Sequence, residues 1–562
     1  MSHRARLSIL ILVVFAGLLA ACAAPAATPA PATSPVATAP APTVAPAASP
    51  TAAAAARVKV LRLPGGGDWG YPSPFGFSRG PGYVRASYIF DTLVWRDGTG
   101  QTIPWMATDW KTSDDKLTWT FTLRNGIKWH DGRPLTVDDV VFTFQYLAKT
   151  GAAWFMAPVT EVDAVTAVGD RQVAIKLKRP FAPFLSTIAE TVFILPRHIW
   201  EKVEDPMKFT GPEAVLGSGP YKLVQYSKEE GTYLFEANDD YFLGKPYVQR
   251  MEFVPVSDVA LALANSQVDA FDKFGGVTDE MLAPFAKAPF QIKKAPGEWG
   301  MNLYFNLSAA KSPIAEVRVR QAIAYAVDRD ALVARLLLGF GEPGSPGGLP
   351  PANPFYNPAA QAVYPHDVAK AKALLREAGY GEGQPVTVNL TYSSGDSPRL
   401  VEMLTAALAE AGITVKPVPM DQASLDAAAQ AGNYDMLLVG YGGLGGDPDQ
   451  LRRNFASTSK TVGFSRARGY ANAEFDKLAN EQVSLLDFAA RKQALDRMQM
   501  ILAQDLPALP LYTTARVVVY NSQVFDNWYF TPGGYGGGIP MPYNKHQYIT
   551  GVETGLKIKG TK

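Results

Sequence analysis

The segment 440–446 has the glycine spacing of greatest chemical interest in the chain. Gly440, Gly442 and Gly445 satisfy G-x-G-x-x-G and follow a predicted strand, as the glycines of a dinucleotide-binding turn do. That site also needs a helix directly after the glycines and an acidic residue about 20 positions further on. Pro448 stands where the helix would run, and no acidic residue lies close to that distance. The segment therefore predicts a glycine-permitted loop at the carboxyl end of a strand, where open α/β sheets place ligands.

Residue spacings typical of enzymes are absent from the sequence. The five histidines form no H-E-x-x-H motif or closely spaced ligand pair, and there is no G-x-S-x-G elbow. The glycines before Asp68 lack the Gly-Lys-Ser/Thr ending of a phosphate loop. Adjacent aspartates occur only where turns or helix caps are predicted. We therefore expect no catalytic residues, no metal site and no cofactor, and predict that the protein is not an enzyme.

Aromatic side chains could line a ligand cleft. The chain has 10 Trp, 24 Tyr and 28 Phe, more than a core alone needs. Trp69 and Tyr71 lie in a stretch too irregular for a core strand, and Trp299 precedes a predicted strand, 301–307. The alternative for each of these aromatic residues is a purely structural position, in the core or between two lobes of the folded body. The candidate ligand-contacting residues are Trp69, Tyr71, Trp299, Asn302, Tyr441, Gly442, Gly443 and Leu444.

The beginning of the chain predicts export and lipid attachment. Arg4 and Arg6 precede an apolar run, 7–19, that is shorter than the about 20 residues needed to span a bilayer. Small residues then lead to Cys22, the only cysteine, in a pattern that resembles the lipobox of bacterial lipoproteins. Residues 1–22 are thus predicted to be a lipoprotein signal peptide, and Cys22 to carry a lipid that anchors the protein outside the cytoplasm. An ordinary signal peptide is the alternative.

Composition separates a linker from a folded body. Residues 23–56 contain only Ala, Pro, Thr, Ser and Val, so they cannot bury a core and are predicted to be a disordered tether. The remainder is too long for a single core. With 53 basic and 52 acidic residues, the chain has no basic field for nucleic acid. Without a second cysteine, its stability must come from core packing and not from disulfides.

Local patterns predict an α/β fold. Residues 118–123 alternate as a half-buried strand, Asn125-Gly126 forms a turn, and Thr136 with Asp139 caps a helix. Ser312-Pro313 predicts the start of another helix, and Asp328 caps the next. From residue 386 strands alternate with helices: strands at 386–390, 413–418 and 436–439, and helices at 398–411 and 424–431. This alternation indicates a partly parallel sheet.

Several short motifs follow one another along the chain. They are FTLRNGIKWHDGRPLT at 121–136, GSGPY at 217–221, NDDY at 238–241, VRQAIAYAVDR at 319–329, AKAKALLREAGY at 369–380, DPD at 447–449 and LPALPLY at 506–512. Together these segments resemble the family 5 solute-binding proteins, the dipeptide-, oligopeptide- and nickel-binding components of ABC importers. The matches occur in the family's order from about residue 57 to about residue 545.

The resemblance implies a type II periplasmic-binding-protein-like α/β fold, with two lobes joined by a hinge and an extra subdomain on the N-terminal side. A ligand that touches both lobes stabilises their closed arrangement. In this scheme lobe I comprises 57–105, 205–307 and 513–562, the extra subdomain 106–204, and lobe II 308–512. The implied partners are a small solute, ABC permease subunits and the membrane, and we expect a monomer in the periplasmic space or on the outer face of the cytoplasmic membrane.

One departure from the family bears on the ligand. Peptide-binding relatives have an aspartate, four residues after the glycine that ends the strand, that pairs with the peptide α-ammonium group. Aligned through Asp447-Pro448, this chain has Leu444 at that position, and a buried ammonium without a carboxylate is costly. Either Asp68 or Asp447 substitutes, or the ligand is not a peptide. The leading prediction is peptide capture; the alternatives are an oligosaccharide-binding member of the family and, in another class, a secreted hydrolase.

Overall fold

The computed structural model describes residues 57–151, 159–309, 312–458 and 468–549, which belong to one compact unit. The predicted signal peptide, Cys22 and the linker 23–56 lie outside the described residues. Within the described part, no helix combines the length and the apolar character needed to cross a bilayer.

The strands are β1 (Leu61–Pro64), β2 (Val94–Arg96), β3 (Thr102–Pro104), β4 (Ala107–Thr112), β5 (Thr118–Leu123), β6 (Val162–Ala167), β7 (Gln172–Leu177), β8 (Tyr221–Ser227), β9 (Thr232–Ala237), β10 (Arg250–Val254), β11 (Ala270–Phe274), β12 (Phe290–Phe305), β13 (Gly341–Pro343), β14 (Val386–Ser393), β15 (Ile413–Met420), β16 (Met436–Gly442) and β17 (Ala508–Asn521).

The α-helices are α1 (Arg79–Ile89), α2 (Val137–Thr150), α3 (Arg197–Trp200), α4 (Val259–Ala264), α5 (Asp279–Leu282), α6 (Val317–Ala326), α7 (Arg329–Leu336), α8 (Pro358–Gln361), α9 (Val368–Glu377), α10 (Pro398–Glu410), α11 (Gln422–Ala431), α12 (Gln450–Phe455), α13 (Ala473–Gln482) and α14 (Phe488–Asp505).

The N-terminal half contains two separate four-stranded sheets. The first has the order β1-β10-β9-β8, and we call the part of the molecule built on it the first lobe. The second has the order β4-β5-β7-β6 and is antiparallel throughout. Helix α2 packs beside this second sheet and begins with the predicted capping box of Thr136 and Asp139. The two sheets share one apolar core.

The second lobe is built on β14, β15 and β16, which are parallel to one another as the alternation of elements predicted. Both faces of β16, which lies between β12 and β14, are buried. Met436 and Leu438 of β16 enter one apolar core, whereas Leu437 and Val439 enter another on the opposite face. Burial on both faces explains the continuous apolar run, as is usual for parallel sheets covered by helices.

Two long antiparallel strands, β12 and β17, cross from one lobe to the other. Val518 and Tyr520 of β17 belong to the first-lobe core, whereas Leu509 and Leu511 belong to the second-lobe core. The pairing of the two strands shifts register between Ala295 and Trp299 of β12. Because a register shift interrupts the ladder, it marks the place where the paired strands can bend.

The structure differs from the sequence predictions at three element boundaries. Strand β12 begins at Phe290, eleven residues before the predicted start at 301. Its residues 290–295 pair with β17, and the strand continues through Pro296 and Gly297, where the pairing is interrupted. Gly440–Gly442 continue strand β16, so only residues 443–446 form a loop. Ser312-Pro313 begins a single 3₁₀ turn, and α6 starts later, at Val317, where Glu316 caps it.

Candidate functional site

Two glycine-rich segments from the two lobes meet in front of the crossing strands. One is the second-lobe loop, residues 443–446; the other is the C-terminal loop, residues 533–538, which extends from the first lobe. A Cβ atom built on Gly446 would lie 3.2 Å from Gly538 Cα and 3.4 Å from the Gly533 carbonyl oxygen. A Cβ on Gly533 would lie 2.9 Å from the carbonyl oxygen of Gly445. The backbones approach this closely because neither loop has side chains at these positions.

Trp299 packs against the C-terminal end of strand β16. It lies opposite Gly442 in the ladder, and its indole ring packs over Gly440, where any Cβ atom would overlap it. The Phe274 ring packs on the indole with its centroid at 5.3 Å. The glycines of the G-x-G pattern therefore make room for an aromatic ring, not for a pyrophosphate group.

Tyr441 and Asn302 lie on the same two strands. The half-buried Tyr441 points to the face opposite Trp299, and burial raises its pKa. Asn302 is buried opposite Val439 on strand β12. Both therefore belong to the second-lobe side of the site.

Leu444 is buried in the second-lobe loop. Its N–H donates to the carbonyl oxygen of Glu298 at 3.2 Å, and its own carbonyl accepts from the Asn353 side chain at 2.8 Å. Its methyl group packs beside Gly300. At this position the second-lobe loop thus has an apolar side chain that packs against the crossing strand β12.

Glu298 lies between the two loops. Its carboxyl group packs directly against Gly445, and its Oε1 accepts a hydrogen bond from the Gly533 N–H at 2.9 Å. The residue is 9% exposed, and burial raises its pKa to about 7. Sequence motifs do not reveal Glu298, because an isolated acid between Gly297 and Trp299 belongs to no recognisable pattern.

Asp447 is not available to a ligand ammonium group. Arg491 binds its carboxylate in a bidentate geometry at 2.6 and 3.1 Å, and both side chains are about nine-tenths buried. The Ser186 hydroxyl, on the N-terminal side of the chain, donates to the same carboxylate at 3.4 Å. Asp447 therefore stabilises the second-lobe loop and contacts the opposite wall of the cleft.

A small cavity lies between these walls. Its charged lining residues are Arg96, Asp447, Asp449 and Arg453. Arg96 pairs with Glu190 at 3.2 Å and donates to the carbonyl oxygen of Gly534 in the C-terminal loop. The free space is about 10 Å³, roughly the room of one water molecule. A solute larger than water can enter this gap only if the walls separate.

Trp69 and Tyr71 lie in a different place from the other candidates. The Trp69 indole donates to the Gly65 carbonyl, and Tyr71 packs its ring against Tyr226, with centroids at 5.5 Å. Tyr71 lines an open groove of about 410 Å³ on the N-terminal half of the molecule, which also includes His130. The structure thus brings Trp299, Asn302 and residues 441–444 together, but not Trp69 and Tyr71.

Asp68, the other acid considered for an ammonium group, belongs to the same N-terminal region. Its carboxylate accepts hydrogen bonds from the Tyr226 hydroxyl at 2.7 Å and from the Gly70 N–H at 2.9 Å. It therefore fixes the turn that carries Trp69 and Tyr71.

The glycine run 533–538 is the part of the site that the sequence could have revealed. Five of its six residues are glycine, and such a density in a folded body indicates a close approach of backbones. Arg96, Ser186 and Arg491, by contrast, are distant in sequence and meet only through the fold.

Comparisons with known proteins agree with this architecture. The family described as bacterial extracellular solute-binding proteins, family 5 (middle), matches residues 101–462. Heme-binding protein A of Haemophilus influenzae is 29% identical over 484 residues, which cover 78% of this chain and 85% of that protein. The dipeptide-binding protein of Escherichia coli is 28% identical over 511 residues, with 84% and 90% covered. The crystal structure of the ABC transporter substrate-binding protein CtaP from Listeria monocytogenes is 26% identical, superposes with a TM-score of 0.71, and covers 83% of this chain and 95% of that one.

Proposed function

Because this chain belongs to the family 5 bacterial extracellular solute-binding proteins, we propose that it captures a solute between its two lobes and delivers it to the permease of an ABC importer. The observation that most directly supports this proposal is the contact between the two glycine loops in front of the crossing strands. The loops approach within backbone contact and leave room for about one water molecule, so uptake and release require the lobes to open and close.

We propose peptides as the solute class. Strand β16 pairs with β14 only at Met436 and Leu437, and no other strand of the described residues pairs with that edge from Leu438 to Gly442. An extended peptide can add its backbone to such an edge, with side chains entering pockets on alternate faces. The similarity to a dipeptide-binding protein supports this class. Leu444 indicates that a carboxylate at that position does not hold the peptide N-terminus.

A fluorescence titration tests the ligand class. Trp299 packs on the glycines that end β16, so a peptide bound along this edge is expected to change its emission. The measurement compares di- to pentapeptides with cello-, xylo- and manno-oligosaccharides, in the wild type and in Trp299→Phe. We expect saturable changes with peptides that are lost in the variant. Saturation by an oligosaccharide alone would exclude the peptide class, and turnover of any added compound would favour a hydrolase.

We also propose that Cys22 carries a lipid and that residues 23–56 tether the folded body to the membrane surface outside the cytoplasm. The expected result for Cys22→Ala is release of the protein from the membrane fraction, because the acyl chains supply the anchoring. Its solute affinity should be unchanged, since the anchor lies before the folded body. The measurement is fractionation of cells followed by immunoblotting, with Ser34→Ala as a linker control. Equal membrane retention of both variants would contradict the lipid anchor.

A further inference from the structure

Glu298 contacts both lobes from the crossing strand β12. Its side-chain Oε1 accepts from the Gly533 N–H of the C-terminal loop, and its carbonyl oxygen accepts from the Leu444 N–H of the second-lobe loop. Its carboxyl group also packs against Gly445, where a Cβ atom would overlap it. The residue lies within the register shift where β12 and β17 can bend. Separation of the two loops must therefore change its surroundings.

The carboxyl group is incompletely hydrogen-bonded in the closed arrangement. Its Oε2 is buried and has no hydrogen-bond partner among the described residues. Burial raises the pKa of the carboxyl group, and two nearby cations, Arg96 of β2 and Arg516 of β17, oppose this effect by lowering it. Both are already paired, Arg96 with Glu190 and Arg516 with Asp272. A buried carboxylate that lacks donors at one oxygen is costly, whereas the neutral acid is much less so.

We propose that Glu298 is a proton-dependent latch for lobe closure, so that the closed arrangement takes up one proton on this carboxyl group and opening releases it. The inference rests on the lobe closure proposed above. When the loops separate, water reaches the carboxyl group and solvates the ionised form. Closure removes this water and leaves only the Gly533 N–H as donor, which favours the neutral acid.

The direction of the pH dependence follows from the two environments. Burial raises the pKa of Glu298 to about 7 in the closed arrangement, from an ordinary value of 4.5 in water. At a pH between these two pKa values, the closed arrangement binds more protons than the open one. Closure is therefore favoured at low pH and is lost as the pH rises towards 7, by up to about tenfold in the closed-to-open ratio per pH unit.

The elements packed around Glu298 carry other charged groups: Arg96 and Arg516 act on its carboxyl group, and Asp447 of the second lobe lies across the cavity from Arg96. Arg96 and Glu190 form a pair on the N-terminal side of the chain, and burial raises the pKa of Glu190 there. The C-terminal loop contributes Tyr535, whose pKa burial raises well above its ordinary value. The second-lobe loop, 443–446, contributes no titratable side chain.

The test measures the distance between the lobes as a function of pH. Spin labels are attached to Glu229→Cys, between β8 and β9 of the first lobe, and Glu410→Cys, at the end of α10 in the second. Both positions are exposed, and a Cys22→Ala background leaves only these two thiols in the full-length chain. Distance distributions are recorded at pH 5.5 and pH 8, without ligand and with a mixture of di- to penta-alanine.

In the parent chain, the closed distance is expected to be more populated at pH 5.5 than at pH 8. Glu298→Gln, which is neutral at both pH values, should keep the higher closed population throughout. Glu342→Gln is the matched control, because Glu342 also has a buried oxygen without a partner among the described residues but lies on β13. It should respond to pH like the parent.

A pH response that Glu298→Gln retains would overturn the latch, as would peptide-induced closure that is the same at both pH values. A single distance under every condition would instead contradict lobe closure itself, and with it the proposed function. The two failures are thus distinguishable.

Discussion

Asp91→Ala is expected to lower the free energy of unfolding by about 3–5 kcal/mol, the range found when one partner of a buried ion pair is removed. Asp91 and Lys545 are both fully buried, with Nζ and Oδ1 2.7 Å apart. The same carboxylate accepts hydrogen bonds from the Trp105 indole, the Ser218 hydroxyl and the Tyr241 hydroxyl. Its removal leaves three neutral donors unpaired and an ammonium group without its counter-ion.

The measurement is urea unfolding of the variant and the wild type, compared by the shift of the midpoint. Asp239→Ala is the control, because Asp239 also pairs with a cation, Arg57 at 2.8 Å, but its side chain is 52% exposed. Surface pairs contribute less than about 1 kcal/mol, so the control should unfold close to the wild type. Equal midpoints for the two variants would show that the buried pair does not hold the C-terminal segment in place.

This ion pair also positions the candidate site. Lys545 lies just after the C-terminal loop, and its neighbour Asn544 donates to the Arg96 carbonyl oxygen at 2.8 Å and accepts from the Trp95 indole at 2.7 Å. These bonds fix the segment beside β2, from which the Arg96 side chain reaches the cavity. We therefore expect weaker solute binding by Asp91→Ala even at temperatures where it remains folded.

Gly446→Val is expected to weaken solute binding by about 5- to 150-fold. A Cβ atom there would lie 3.2 Å from Gly538 Cα across the cleft, so the two further methyl groups of valine must displace the C-terminal loop. Overpacking of this kind costs about 1–3 kcal/mol, which corresponds to that loss of affinity. The contact with Gly538 exists only when the lobes are closed, whereas a second contact of the same Cβ atom, 3.2 Å from the Gly443 carbonyl oxygen, lies within the second-lobe loop itself.

Affinity is measured by titration calorimetry with the peptide that binds best in the fluorescence assay. Gly383→Val serves as the control, since nothing lies within 4 Å of a Cβ atom at Gly383 and its backbone needs no left-handed conformation. It should bind like the wild type. If both variants kept wild-type affinity, the contact between the two glycine loops would not form part of the bound state.

Much of the fold could be predicted because local patterns specify it. The alternation at 118–123 and the Thr136–Asp139 capping box are confirmed, since they depend on neighbouring residues. The type II two-lobed α/β fold is confirmed as well, by the crossing strands and by the solved relative. Strand β12 was predicted too short because Lys293, Lys294 and Pro296 interrupt its apolar pattern, and only its pairing with β17 makes this part a strand.

The site could be predicted only in part. Glycines have low strand propensity, so Gly440 and Gly442 indicated a loop; their strand conformation depends on Trp299, 141 positions away from Gly440, which packs on them. Glu298 is buried by contacts with Gly445 and Gly533, and because both are distant in the chain, no local pattern could indicate them. Trp69 and Tyr71 were predicted as ligand contacts because their stretch is irregular; Tyr71 lines the separate groove, and the contact of both residues with ligand stays a prediction.

Small-angle X-ray scattering of the full-length chain, with and without a saturating peptide, tests the central claim of lobe closure most directly. A decrease in the radius of gyration on binding, absent from Gly446→Val at the same peptide occupancy, is the predicted result. An unchanged scattering curve at full occupancy of the wild type would contradict it.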